Sequence, residues 1–173
     1  MNATQTTAEI VDIRLAPGEF YFGAGYTRIH TLLGSCVAIT MWHPGKRIGG
    51  MCHYLLPSRG INQRLSQGYY ADEAVNMFLG EVHQADTKSS DYEVKVFGGG
   101  NMFKAYDNTS QPISVPQNNI TAGTQLLKQH GFHIKATDVG GDFHRKIFLE
   151  LWNGDVWLQR GGNLQRESAS EKN

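Results

Sequence analysis

Two apolar runs separated by a short turn do most to restrict what this chain can fold into. Cys36-Val37-Ala38-Ile39-Thr40-Met41-Trp42 is rich in apolar and β-branched residues, His43-Pro44-Gly45 is turn chemistry, and residues 47–56 form a second run that Pro57 ends. Strands joined by so short a turn pair antiparallel. A regular hairpin centred between residues 44 and 45 sets Cys36 opposite His53, with Cβ atoms roughly 4.5–5.5 Å apart. Cys52 and His53, as neighbours on a strand, point to opposite faces.

The remaining pattern fills in around that hairpin. Residues 27–33 read as a strand that Gly34-Ser35 ends. Residues 69–82 read as a helix with two overlapping apolar stripes, one of Tyr70, Ala74, Met77 and Phe78, the other of Ala71, Val75, Phe78, Leu79 and Val82. A strand over 92–97 runs into Gly98-Gly99-Gly100. A second helix covers 119–130, with Asn118 or Asn119 as its cap and Gly131 at its end. A strand over 132–137 follows, then a hairpin of 145–152 and 155–160 whose Asn153-Gly154 pair suits a tight type I′ turn. The order strands, helix, strand, helix, strands predicts an α/β or α+β domain with much antiparallel pairing. One domain is expected over residues 1–173, with an ordered core of 9–162 and polar, flexible tails.

Composition excludes several function classes. Hydrophobic residues make up 40% of the 173 and charged residues 18%, enough for a core without disulfide staples. Sixteen basic residues balance sixteen acidic ones, so no bulk charge draws the chain to nucleic acid or anionic lipid. No leader-like apolar run follows Met1, and no segment approaches the length that spans a bilayer. Two cysteines do not make a secreted disulfide framework, and free thiols fit a cytoplasmic location.

Cys36 and His53 are the residues most able to carry chemistry. A cysteine just after a Gly34-Ser35 turn can expose its sulfur beside free backbone N–H groups, which are a candidate oxyanion hole. An imidazole across the hairpin can take the thiol proton and later protonate a leaving amine. Taken alone, each residue has a plainer reading, since free cysteine is among the most buried residue types and a strand histidine often only satisfies backbone. Cys36, His43, Cys52 and His53 also raise a metal reading. They lack the CxxC or HxxxH spacing of zinc sites, so no metal is expected. Gly98-Gly99-Gly100-Asn101 follows a strand but has neither the ending of a P-loop nor a GxGxxG, and close backbone packing is the expected role. The acids of Asp138-Val139-Gly140-Gly141-Asp142 are expected to be solvated in a glycine turn.

The segment His30-Thr31-Leu32-Leu33-Gly34-Ser35-Cys36-Val37-Ala38 resembles the LGSCVA signature of the chemoreceptor glutamine deamidases, the CheD family. Gly50-Met51-Cys52-His53-Tyr54-Leu55-Leu56-Pro57 is similar to the family's GxMxHxxLP segment, and Tyr69-Tyr70-Ala71-Asp72 to its helix start. Phe97-Gly98-Gly99-Gly100-Asn101-Met102-Phe103 resembles GGAxMF, and Asp138-Val139-Gly140-Gly141 with Arg145 or Lys146 resembles D-x-GG-x(3)-R/K. Val115-Pro116-Gln117-Asn118-Asn119 departs from the family's I-G-x-x-N. The resemblance implies a layered β-sheet sandwich flanked by helices, like that of toxin-type cysteine deamidases. It implies a protein-glutamine deamidase of chemotaxis that needs no cofactor, with Cys36 as nucleophile and His53 as base; the backbone of Gly34 and Ser35, read from the turn itself, is the expected oxyanion hole. The family's third catalytic residue is a threonine shortly before the cysteine. Thr31 matches it five residues before, and in members where it lies six before, the position here is His30. The implied substrate is the cytoplasmic helical region of a chemoreceptor. A CheC-type phosphatase is the implied second partner, and an adaptor that binds it or a receptor with little turnover is the alternative function.

Overall fold

The computed structural model describes residues 7–61, 64–102 and 114–160, together with the backbone of 163–167. The strands are β1 (Val11–Arg14), β2 (Phe20–Ala24), β3 (Thr27–Leu33), β4 (Val37–His43), β5 (Ile48–Tyr54), β6 (Glu93–Gly98), β7 (His133–Val139), β8 (Arg145–Glu150), β9 (Val156–Arg160) and β10 (Asn163–Glu167). The helices are α1 (Ala71–Gln84) and α2 (Val115–Gln129). They build two five-stranded sheets, one ordered β1-β3-β8-β9-β10 and the other β2-β5-β4-β6-β7.

The sequence pattern explains the layering. β4 is an almost unbroken apolar run, and its first five residues are buried. Such a strand needs cover on both faces. Ile39, Met41, Cys52 and Tyr54 pack under Val75, Phe78, Val82 and Leu127 of the helices. Ala38, Met51 and Phe97 face the other sheet, against Ile29, Leu33, Ile147, Leu149 and Leu158. β3 and β8 instead alternate buried with more exposed residues, because their sheet is covered on one face only. The result is helices on sheet on sheet, the α+β layered sandwich that the sequence predicts. No helix among the described residues is long and apolar enough to cross a membrane.

Several expectations shift. β4 and β5 pair Val37 with Tyr54 and Ala38 with His53, so Ala38 rather than Cys36 stands opposite His53. The loop between them is longer than expected: His43 Nδ1 accepts from the amides of Gly45 and Lys46 at 3.1 and 3.0 Å, and Arg47 takes a positive φ of 52°. The displacement is two residues, an even number, so every side chain keeps its expected face. The β8–β9 hairpin is displaced in the same way. Its last ladder pair is Leu149 with Val156, and only Gly154 has positive φ, so the turn is not a two-residue type I′. Leu151 is fully buried and donates its amide to Thr27 O at 2.9 Å, which opens the loop.

α1 begins two residues later than expected and buries residues of both stripes, Ala71, Ala74, Val75, Phe78 and Val82. α2 begins four residues earlier. Ser114, not an asparagine, caps it, accepting from the Gln117 amide at 3.4 Å. Pro116 fits inside that first turn, where an amide hydrogen is not needed. β1, β2 and β10 were not anticipated: β1 and β2 are short and weakly patterned. Phe103 and residues 1–6 and 168–173 lie outside the described residues, so the expectation for the tails does too.

Candidate active site

Cys36 and His53 share the space between the sheets. Met51 points there, and His53, two residues on, follows the same alternation, while Cys52 and Tyr54 point to the helices. Cys52 and His53 thus face opposite ways, as strand alternation predicts. Cys36 is half-buried against the same core as Ala38. As the diagonal rather than the direct neighbour of His53, it stands about 7–8 Å away by ladder geometry, somewhat less at Cβ.

His53 is 1% exposed, and both its amide and its carbonyl are bonded to the Gly18–Glu19 segment. Gly18 N donates to His53 O at 2.7 Å and His53 N donates to Glu19 O at 3.2 Å. Its Nδ1 lies 2.7 Å from Thr31 Oγ1, and the Thr31 hydroxyl also donates to Leu15 O at 2.8 Å. A threonine hydroxyl has one hydrogen. With that hydrogen on the Leu15 carbonyl, Thr31 accepts from an Nδ1–H, and the lone pair of the neutral ring lies on Nε2. That Nε2 is buried and has no partner among the described residues. Burial pushes the His53 pKa down to about 4, so the ring is neutral at pH 7. Thr31, not His30, thus meets the histidine. His30 lies on the outer face of its sheet, stacked on Phe148.

The Cys36 thiol is pushed up by burial, and a hydrogen bond from the Ser35 side chain only partly offsets this. The resting pair is thus thiol and neutral imidazole, not thiolate and imidazolium. Cys52 is fully buried and pushed up to about 12, which leaves it inert.

The loop that carries Cys36 is held by its carbonyls. Gly99 N donates to Cys36 O at 2.8 Å and Gly100 N to Gly34 O at 2.9 Å. The amides of Ser35 and Cys36 have no acceptor among the described residues. Two backbone donors beside a sulfur are a candidate oxyanion hole. The role of the glycine run is now visible. Gly98 has φ 107°, and a Cβ there would lie 2.2 Å from Cys36 O, so only glycine lets β6 approach this closely. Met102 and the exposed His144 flank Gly34 on its outer side.

Sequence reasoning missed the braces. Asn119, expected as a helix cap, is buried one turn inside α2. Its Nδ2 donates to Leu55 O at 2.6 Å, and its own carbonyl takes the Tyr54 hydroxyl at 2.6 Å. This fixes the stretch just after His53. The carbonyls of Leu15 and Glu19 carry no side-chain signal at all. Among the described residues no group of three His, Cys, Asp or Glu side chains could hold a metal ion.

Comparison with known proteins identifies the family of the chain. The family described as "CheD chemotactic sensory transduction" matches residues 55–160. A protein of Pseudomonas syringae pv. tomato, named "Probable chemoreceptor glutamine deamidase CheD", is 45% identical over 149 residues, covering 86% of this chain and 89% of its own. "Probable chemoreceptor glutamine deamidase CheD 3" of Dechloromonas aromatica is 43% identical over 152 residues, covering 87% and 88%. The solved structure of Bacillus licheniformis hypothetical protein YfiH aligns at TM-score 0.45 and 10% identity, covering 69% of this chain and 49% of that one. With relatives this similar along most of its length, the chain belongs to the CheD family.

Proposed function

We propose that this protein deamidates glutamine side chains of chemoreceptors in the cytoplasm, with Cys36 as nucleophile and His53 as base. The observation that carries the reading is the Leu15–Thr31–His53 relay, which leaves an unprotonated Nε2, without a partner among the described residues, on the face that Cys36 shares. The family's named activity supplies the substrate class.

The chemistry follows from the neutral pair. Nε2 takes the thiol proton as Sγ attacks the amide carbon, and the carbonyl oxygen becomes an oxyanion held by the amides of Ser35 and Cys36. The proton on Nε2 passes to the leaving nitrogen, which departs as ammonia and leaves a thioester. Water, deprotonated by the same Nε2, adds to the thioester, and its collapse returns the thiol and frees glutamate. Thr31 keeps Nδ1–H fixed throughout, so Nε2 alone exchanges protons.

The test is mass spectrometry of a receptor cytoplasmic fragment incubated with the protein. Conversion of specific glutamines to glutamate is expected, and Cys36→Ala is expected to abolish it. Equal conversion by the two proteins would end the assignment of the nucleophile.

A further inference from the structure

The two donors of the candidate oxyanion hole are held at second hand. Gly99 and Gly100 hold the carbonyls of Cys36 and Gly34, and something must hold the glycines. Gly140 N donates to Gly98 O at 2.9 Å, and Asn101 N donates to Gly141 O at 2.7 Å, so the Gly140–Gly141 turn grips both ends of the glycine run. That turn is gripped in its own right by Arg145. Its Nη2 donates to Gly140 O at 2.7 Å, and its Nε donates to Asp138 Oδ1 at 2.6 Å. The guanidinium also lies 4.3 Å over the ring of Phe143. Arg160 reaches the other oxygen of Asp138.

Arg145 is 1% exposed and Asp138 about 10%. Taking such a pair out of water costs nearly what the attraction returns, so the pair is poor evidence of a stability role. Its placement suggests another role. Asp138 belongs to β7 in the helix-covered sheet and Arg145 to β8 in the other, so the ion pair joins the sheets at one end. At that same end Arg145 pairs with Leu33, the residue just before Gly34. The guanidinium therefore ties the strand that enters the nucleophile loop to the turn that braces it. One cation closes the ring of contacts through β3, β8, β7 and β6.

We propose that Arg145, with Asp138 as its counter-ion, is a positioning residue for deamidation. It holds the Gly140–Gly141 turn, and through it the glycine run and the amides of Ser35 and Cys36. The catalytic part of this role rests on the assignment of Cys36 as nucleophile. Among the described residues the contacts of the Arg145 guanidinium run to Asp138, Gly140 and Phe143 and not to Cys36.

The test uses the full chain carrying Arg145→Gln, Arg145→Lys or Asp138→Asn, each first shown to be folded by its unfolding midpoint. Amide hydrogen exchange is read at Gly99 and Gly100, with Ile39 in central β4 as the internal reference. In folded Arg145→Gln, exchange at Gly99 and Gly100 should quicken about tenfold beyond any change at Ile39, because the local opening no longer breaks a clamp. On receptor fragment, kcat should fall about 10²-fold, as misplacing a transition-state donor does. KM should stay within about a factor of two, because the lost contact acts on the transition state. Arg145→Lys should recover part of both, since an ammonium can replace one of the two bonds. Unchanged exchange at the two glycines in a folded variant overturns the proposal, as does a kcat loss matched by the fraction unfolded. If Arg145→Gln does not fold, Arg145→Lys and Asp138→Asn decide it by the same readings. Failure of the wild-type protein to convert glutamine would sink the role of Cys36 instead, and the exchange readings do not depend on turnover.

Discussion

Thr31 Oγ1 sits 2.7 Å from His53 Nδ1 while donating to the Leu15 carbonyl, and that one shared hydroxyl decides which imidazole nitrogen carries the hydrogen. Thr31→Val keeps the shape and removes the hydroxyl. It leaves a buried N–H and a carbonyl without their partner, at a cost of about 1–3 kcal/mol. The ring is then free to take either tautomer, so deamidation should fall further than stability does. Thr31→Ser, which keeps the hydroxyl, should hold most of both. Denaturant midpoints and kcat for the two variants check this. Equal activity of valine and serine variants would remove Thr31 from the relay.

The burial of His53 sets a pH dependence of known sign. Its folded pKa, about 4, lies below the ordinary 6.5, so between those values the unfolded chain binds a proton that the folded chain refuses. The ring costs nothing above pH 6.5. Stability is then lost as pH falls toward 4, by on the order of 3 kcal/mol in total. His53→Gln should flatten that part of the stability curve. In activity, the acid limb of kcat/KM should lie well below 6.5, because the base stays unprotonated into mildly acid solution. An acid limb at the ordinary histidine value would show that His53 is not held as the structure holds it.

The two thiols should be told apart by access and by pH. Cys36 is half-buried and Cys52 fully buried. A small alkylating agent should label one cysteine of the native protein, Cys36, and both once it is unfolded. Since burial raises the Cys36 pKa, its labelling should be slow at neutral pH and climb steadily into the alkaline range. A rate already at its plateau near pH 7 would mean a standing thiolate–imidazolium pair, against the neutral pair described above. Peptide mapping after labelling at several pH values reads both points.

These pairings also show how much a sequence can disclose here. Residues 27–33 are a strand with the bounds that the sequence suggests, and the face that Cys36 and His53 share was legible from alternation. Alternation has a period of two, so it survived a register error of two residues at both hairpins. The loop length it could not supply, because a side-chain bond from His43 and a buried Leu151 set the turns. Thr31 was legible only through resemblance. The Leu15 and Glu19 carbonyls were not legible at all, since a backbone acceptor leaves no mark on the residue that bears it. Asp138 was expected to be solvated and is instead nine-tenths buried in an ion pair, because its counter-ion arrives from the next strand.

The last prediction separates two ways in which glycine matters. Gly98 and Gly25 both have positive φ, 107° and 81°. At Gly25 an added methyl group would meet nothing within 4 Å, so Gly25→Ala costs only the left-handed backbone, about 1–2 kcal/mol. At Gly98 the same methyl would lie 2.2 Å from the carbonyl of Cys36, a backbone atom that cannot swing aside. Relief must come from moving β6 or the loop that carries Cys36, and either movement breaks the bond from Gly99 to that carbonyl and turns the amides of Ser35 and Cys36. Gly98→Ala should therefore lose activity by about 10²-fold or more even at temperatures where it is folded, while Gly25→Ala should lose a few degrees of Tm and no kcat. Measuring Tm and kcat on the pair decides it, and a Gly98→Ala protein with normal kcat would mean that the loop does not depend on the glycine run for its shape.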